Sequence, residues 1–233
     1  MDSSSKQKTK EKKQKMVNSV FLRGYQEGET VYSHTVATGE SFYKITLAIP
    51  RLSGIMDHVM VMVRERTLKE QEFYKGILMD VTGMMRSYNR IQENGAGTRL
   101  EVYVLANRVE TYPHESLAPE VFSNNIISIC GEIEKMEPFL RDANGEDLLN
   151  VMLVIHRPKN ANIKLPCVAW NRIGNYILRS CNIGEKVFLN GRLQSRVYKE
   201  RETEKEREIV ELTIFHMLNL TWCRRRKKEE YNG

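Results

Sequence analysis

The chain has 233 residues, 41% of them hydrophobic, which suits two domains of roughly 100 residues, each with its own apolar core. It has no apolar run near the roughly 18 residues of a membrane span and no signal-like apolar segment at its start, so we expect a cytoplasmic protein. The formal net charge of +6 comes from the ends: residues 1–16 hold six lysines against two acids, and residues 224–233 hold five cations against two acids, which leaves the remainder at −1. Bulk charge therefore gives no support for nucleic-acid binding by the folded part, and any such surface must be a local patch.

The first half of the chain reads as a basic tail followed by one domain. Residues 1–16 are lysine-rich and low in complexity, which predicts a disordered tail. A first domain is predicted over residues 17–110. Its expected elements are strands at 19–24, 42–49, 58–63, 77–88 and 99–105, a long loop or hairpin at 25–41, and a charged helix at 64–75.

The second half reads as a linker, a second domain and another basic tail. Pro113 and Pro119 mark residues 111–123 as the linker. The second domain is predicted over residues 124–222, before a tail at 223–233. Its expected elements include strands at 148–156, 166–170, 186–198 and 209–220, a helix at 173–182, and a charged hairpin loop at 199–208.

Glycine spacings indicate that the two domains are copies of one unit. Three glycines with intervals of 52 and 7 residues are followed, about 107 residues later, by three with intervals of 53 and 7: Gly24, Gly76 and Gly83, then Gly131, Gly184 and Gly191. A shift this long marks a duplicated domain rather than a solenoid repeat. Each copy has five strands with a short helix between strands three and four, which predicts an all-β protein of two tandem OB-fold barrels.

The two copies align residue by residue along the flanking segments. In this alignment Met62 stands where Trp170 stands, and Arg86 and Tyr88 match Arg196 and Tyr198. The first copy keeps a terminal arginine and tyrosine but has fewer cations, so we expect it to be a weaker nucleic-acid surface or an assembly surface.

The strand at 186–198 alternates between two kinds of side chain. Successive residues of a strand point to opposite faces, so one register is apolar or small and the other is cationic, amidic or aromatic. Cations bind phosphates, and flat π-surfaces stack on unpaired bases. An ordinary solvated sheet face shows the same alternation, and the strand alone does not separate these readings. The polar register contains Lys186, Phe188, Asn190, Arg192, Gln194, Arg196 and Tyr198.

Two runs of the second copy resemble bacterial single-stranded DNA-binding protein (SSB). They are Cys167–Trp170, before the helix, and Leu189–Tyr198, which has the form apolar-x-G-x-L-x-S-R-x-aromatic. The resemblance covers most of residues 125–220 and extends more weakly to 18–110. It implies sequence-nonspecific binding of single-stranded DNA in replication, recombination or repair, and four barrels per assembly, hence a homodimer of this chain.

The resemblance also implies a set of binding residues. Trp170 and Tyr198 would stack on bases, although a tryptophan of a barrel strand is more often part of the core. The DNA strand would be held by side chains of both copies: Arg192, Gln194, Arg196, Arg157, Lys159 and Arg172 in the second copy, and Arg86 with Tyr88 in the first. The acidic, aromatic tail tip through which bacterial SSB proteins recruit partners is missing, so we expect that route of recruitment to be absent; a plasmid, phage or mobile-element variant is consistent with this.

Other chemistry is not indicated. The four cysteines are far apart and the five histidines isolated, so we expect free thiols, no metal or other cofactor, and no enzymatic activity. Two alternatives stay open. One is a protein-interaction module of a replication, primosome or mobile-element assembly; the other is an RNA-binding OB-fold protein, because stacking and phosphate contacts do not read the 2′-hydroxyl.

Overall fold

The computed structural model describes residues 17–91, 97–115, 123–137, 140–141, 145–158, 160–199 and 206–221. Within these ranges the chain forms eleven strands and two helices. In chain order they are β1 (Asn18–Thr35), β2 (Ser41–Pro50), β3 (Met56–Arg64), α1 (Glu65–Glu70), β4 (Leu78–Ile91), β5 (Thr98–Tyr112), β6 (Asn125–Met136), β7 (Leu140–Arg141), β8 (Asp147–Ile155), β9 (Ile163–Trp170), α2 (Asn171–Ser180), β10 (Lys186–Lys199) and β11 (Glu206–Asn219).

The strands close into two barrels of the same design. Barrel 1 comprises β1 to β5, in which β1 pairs with β2 and β4, β2 with β3, and β4 with β5, all antiparallel, while β3 and β5 pair in parallel. Barrel 2 comprises β6 and β8 to β11, with the equivalent ladders and the short β7 added beside β8. Each barrel has its helix between the third and fourth strands, so the predicted pair of OB-folds is confirmed.

Alternation along each strand explains why these sequences close a barrel. Every second side chain faces an apolar interior, as with Val187, Leu189 and Leu193 of β10, which are at most 1% exposed. Gly191 stands on the same register, where a Cβ atom would overlap the carbonyl oxygen of Thr213 on β11. The β10–β11 ladder shifts register beside this glycine, so the close approach of two backbones bends the strand and requires the missing side chain.

The two barrels are joined by a strand pair and share one contiguous apolar core. β1 and β6 run antiparallel from Asn18 opposite Ile129 to Leu22 opposite Asn125, so one sheet continues from barrel 1 into barrel 2. On the two sides of this pair, β4 packs against β9 and β10 packs against β3. The two junctions correspond: Lys164 N–H donates to Ser87 Oγ at 2.9 Å in one, and His58 N–H donates to Ser195 Oγ at 2.9 Å in the other.

A buried ion pair closes the β3–β10 junction. Asp57 has a side chain only 1% exposed and accepts from Arg51 Nε at 2.9 Å and from the Ser195 N–H at 2.8 Å. Arg51 Nη2 also donates to the Ser195 carbonyl at 2.8 Å. Because both oxygens of the Asp57 carboxylate find partners, a carboxylate and a guanidinium of barrel 1 hold the backbone of barrel 2.

Three element predictions need correction. β1 does not end at residue 24 but continues to Thr35, and it forms with β2 the hairpin that was one of the two alternatives for residues 25–41. The outer half of β1 stands clear of the barrel, so Val31 and Tyr32 are more than half exposed and that half shows no alternation. The helix predicted at 64–75 is the six-residue α1, which buries no residue. β5 runs to Tyr112, two residues into the segment predicted as a linker.

Candidate nucleic-acid interface

The polar register of β10 lies on the outside of barrel 2, as predicted. Arg192 and Gln194 are partly exposed between the buried Leu193 and Ser195, while Lys186 at the start of the strand is exposed. The strict alternation holds as far as Ser195, beyond which Val197 is 61% exposed because the strand rises out of the barrel. The side chain of Tyr198 lies outside the described residues, so its predicted stacking role stays a prediction.

Trp170 is on the outward register of β9. The core contains the alternate residues of this strand, Leu165, Cys167 and Ala169, whereas Trp170 is partly exposed at the point where β9 meets α2. Asn171 follows with φ 45°, and its Oδ1 accepts from the Asp147 N–H at 3.1 Å, which ties this turn to the start of β8. The geometry answers the question that the sequence left open: Trp170 is not a member of the barrel core.

Arg192 and Gln194 form a small ordered group with β11. With its oxygen toward Arg192, the Gln194 amide accepts from Nη2 at 2.7 Å and donates to the Thr213 hydroxyl; this orientation is assigned from the partners. The Arg192 guanidinium lies 5.5 Å from the centre of the Phe215 ring, which is 53% exposed. Partial burial lowers the pKa of Arg192, with the nearby Asp57 opposing the shift.

Phe215 is a surface residue that the sequence reasoning missed. It stands on the same register of β11 as Glu211 and Thr213, opposite to the core residues Leu212 and Ile214. An aromatic side chain on the polar register of a strand was the signal that pointed to it. An exposed ring beside an arginine is a platform of the kind on which unpaired bases stack.

Arg196 is compensated by a protein carboxylate. Its Nε lies 2.8 Å from Glu211 Oε1, and its Nη2 donates to Glu211 Oε2 at 3.3 Å. The Glu211 side chain is only 8% exposed; burial raises its pKa and the adjacent guanidinium opposes that shift. Arg196 therefore has less charge to offer a phosphate than the sequence suggested.

The strand registers correct the alignment of the two copies. Arg64 is opposite Phe42 in barrel 1, and Trp170 is opposite Leu148 in barrel 2, so Arg64 and not Met62 is the counterpart of Trp170. Met62 is instead a buried residue at the position of Val168. The prediction was wrong because the repeat offset differs between strands: it is 106 residues in β3 and 108 in β4.

The same registers change the partners of Arg86 and Tyr88. With Gly83 equivalent to Gly191, Arg86 stands at the position of Gln194 and Tyr88 at that of Arg196. The predicted match of Arg86 and Tyr88 with Arg196 and Tyr198 was therefore wrong by two residues.

Arg86 and Arg157 are brought together from different barrels. Arg86 Nη1 donates to the Met85 carbonyl at 2.9 Å, and burial together with the positive charge of Arg157 lowers the pKa of Arg86. Tyr88 packs edge-to-face on Tyr103, with ring centres 5.8 Å apart. We call Arg86, Tyr88, Tyr103 and Arg157 the junction cluster, because they lie where β4 meets barrel 2.

The remaining predicted residues are dispersed. Arg172 is exposed on the first turn of α2. Lys159 lies outside the described residues, as does Trp222. In the ranges that the structure describes, no group of three or more His, Cys, Asp or Glu side chains could hold a metal ion. The searched part of the chain also contains no helix long and apolar enough to cross a membrane.

A comparison with protein families finds a match over barrel 2. The profile of the Single-strand binding protein family matches residues 124–220, which include β6 to β11 with Trp170 and the whole of the β10 polar register. Barrel 2 is similar to the single-strand binding protein family. The similarity to this SSB family covers the segment in which the sequence motifs predicted it.

Two solved structures have a similar fold. The wild-type single-stranded DNA binding protein from Thermus aquaticus matches with a TM-score of 0.64 and 16% identity, over 88% of this chain and 93% of that chain. A deletion mutant of the same Thermus aquaticus protein, which also carries one point substitution, matches with a TM-score of 0.67 and 16% identity, over 88% and 94%. At this identity the likeness establishes the fold alone. A search of curated proteins found no significant match.

Proposed function

We propose that this chain binds single-stranded DNA without sequence preference, through the outer surface of its two barrels. The observation that carries the proposal is the SSB family match over residues 124–220, because it covers the strands that present Trp170 and the β10 polar register. The resemblance of the strand motif supports action in the cytoplasm in replication, recombination or repair.

The described side chains supply both interactions that single-stranded DNA needs. Trp170 is partly exposed at the end of β9 and Phe215 is exposed on β11, and these two strands pair in parallel. Arg192 lies beside Phe215, so a base stacked on the ring would place its backbone near a cation. Arg172 and Arg157 extend the cationic surface, and Arg196 contributes less because Glu211 already neutralises it.

Tryptophan fluorescence tests the proposal directly. In a Trp222→Phe background Trp170 is the sole tryptophan, and its emission is titrated with oligo-dT of increasing length at low and high salt. We expect quenching that saturates, grows with length and weakens with salt, because bound cations displace condensed counterions. Trp170→Ala is expected to weaken binding about tenfold or more, the worth of one stacked base.

Two other outcomes would redirect the interpretation. Binding without quenching, together with unchanged affinity of Trp170→Ala, would show that oligo-dT binds to a surface that does not include Trp170. No binding to oligo-dT in either fluorescence or a mobility-shift assay would exclude the proposed function. The Trp222→Phe variant is the matched control for loss of an indole ring.

We also propose that two chains associate, which would assemble four barrels. The outer face of the sheet continues over β5, β4, β1, β6, β10 and β11. This face carries half-exposed apolar side chains, among them Ile126 of β6 and Leu218 of β11 at 44% and 43%. Apolar residues on an open sheet face favour a protein interface. Sedimentation equilibrium should give a dimer for the wild type and a shift toward monomer for Ile126→Glu; a monomeric wild type at micromolar concentration would contradict the proposal.

One observation favours an alternative, a protein-interaction module. Two arginines of the outer face are paired with carboxylates of the protein: Arg23 is bonded to Asp80 at 2.5 Å, and Arg196 is bonded to Glu211. This leaves fewer cations for phosphates than the composition suggests. Weak, length-independent binding of oligo-dT beside saturable binding of a protein partner would favour this alternative.

A further inference from the structure

The two junctions between the barrels are built alike but differ in charge. Strand registers make Arg51 equivalent to Arg157 and Asp57 equivalent to Ile163, since Ile49 pairs with Asp57 and Ile155 pairs with Ile163. In the β3–β10 junction, Arg51 is held by the buried carboxylate of Asp57. In the β4–β9 junction, the equivalent position is the buried, apolar Ile163, so Arg157 has no such partner.

The second arginine of that junction is not compensated either. Arg86 replaces the neutral Gln194 of the other junction, and within the described ranges its guanidinium donates to the Met85 carbonyl and, at 2.6 Å, to Met84 Sδ, neither of which is an anion. Two carboxylates of neighbouring strands are engaged by other cations, Glu101 by Arg99 at 3.6 Å and Glu134 by Lys164 at 2.7 Å. Among the described residues, Arg86 and Arg157 therefore form a pair of like charges with no protein anion between them.

Such a pair calls for an anion from outside the chain. Arg86 is partly buried, and the charge of Arg157 disfavours its protonated form, so the two cations repel each other in the free protein. In the other junction the equivalent arginine, Arg51, is bonded to the carboxylate of Asp57, which also accepts from the Ser195 N–H. A phosphate has the charge and the acceptor oxygens to pair with both guanidinium groups from the solvent side, and arginine binds it through two parallel N–H donors.

We propose that Arg86 and Arg157 jointly bind one backbone phosphate of a single strand at the point where it passes between the barrels, with Tyr88 and Tyr103 as the adjacent stacking surface. The inference rests on the proposed single-stranded DNA binding. It assigns barrel 1 a direct part in that binding, although its β4 has fewer cations than β10. It also makes the site dependent on both barrels, since neither supplies both arginines.

The test is a double-mutant cycle. Arg86→Gln, Arg157→Gln and the double variant are titrated with fluorescein-labelled oligo-dT, with anisotropy measured over a range of salt concentrations. Each single variant should weaken binding about tenfold, the effect of losing a charge-assisted hydrogen bond, and should reduce the slope of log K against log salt by about 0.7, the value for one phosphate contact of a single strand. Because both arginines hold the same phosphate, the double variant should lose much less than the product of the two single losses.

Arg108→Gln is the matched control. It removes the same charge from a side chain that is exposed on β5 and already paired with Glu110, so its binding should stay within about twofold of wild type. The melting temperature supplies a second readout: neither single variant should be less stable than Arg108→Gln, because no ion pair is lost and repulsion between the arginines is relieved.

The outcomes separate the two proposals. Wild-type binding with variants that behave like Arg108→Gln would overturn the junction site and leave the proposed function standing. Fully multiplicative losses would show two separate phosphates and overturn the shared one. Lower melting temperatures in the single variants, with unchanged salt slopes, would indicate a structural role and overturn the phosphate site. A wild type that does not bind oligo-dT would overturn both proposals.

Discussion

Asp57→Asn tests whether the buried ion pair couples the two barrels. The substitution keeps the shape of the side chain and one oxygen that can accept from the Ser195 N–H, but it removes the charge that faces Arg51. Breaking a fully buried pair costs about 3–5 kcal/mol, because the remaining charge has no partner. The Arg51 side chain is 18% exposed and keeps its bond to the Ser195 carbonyl. We therefore expect a smaller loss in the free energy of unfolding, about 2–3 kcal/mol.

For a chain of this length, that loss corresponds to a decrease in Tm of about 5–10 °C. Differential scanning calorimetry is the appropriate assay, because it also shows whether the barrels unfold together. We expect wild type to unfold in one transition and Asp57→Asn to show a broader or split one, since a bond between barrel 1 and the backbone of barrel 2 has been weakened.

The control is Glu65→Gln, which also neutralises one acid but in an exposed i,i+4 pair with Lys69. Its effect should stay within about 0.5 kcal/mol. If Asp57→Asn changed Tm no more than Glu65→Gln does, the ion pair would contribute nothing to the union of the barrels and the reasoning would be refuted.

Further substitutions test the barrel geometry and the buried carboxylate. Gly191→Ala should lower the free energy of unfolding by more than about 2 kcal/mol, since its Cβ would overlap the Thr213 carbonyl; the urea midpoint measures this, and an unchanged midpoint would show that the strands can separate. The free energy of unfolding of Glu211→Gln, relative to that of wild type, should increase as pH rises from about 4 to 7. Burial raises the pKa of Glu211 above its unfolded value, so the stability that its protonated form contributes is complete below the unfolded pKa and is lost as pH rises through the folded pKa. Glutamine cannot ionise, so the variant does not lose this stability. A difference in Tm between Glu211→Gln and wild type that did not change with pH would contradict the raised pKa.

Much of the fold was accessible from the sequence because its signals are local. Alternation along residues 186–195 predicted which face of β10 is buried, since strand side chains have a period of two. The repeated glycines predicted a duplicated barrel. A strand that bends close to the backbone of its neighbour has no room for a side chain at the point of contact, as Gly191 shows. The outer half of β1 was not predicted as a strand because it lies outside the core, so its side chains do not alternate between buried and exposed.

Only the tertiary structure decided how the candidate site is assembled. The pairing of β1 with β6 brings Arg86 beside Arg157 and the Ser195 backbone beside Asp57, a pair separated by 138 residues. Charge compensation was equally hidden, since Arg196 and Glu211 meet across a ladder whose register depends on a bulge. The sequence determines which residues face outward, because that depends on neighbours along the strand; which cations remain free for a ligand depends on packing between strands and barrels, which no local pattern encodes.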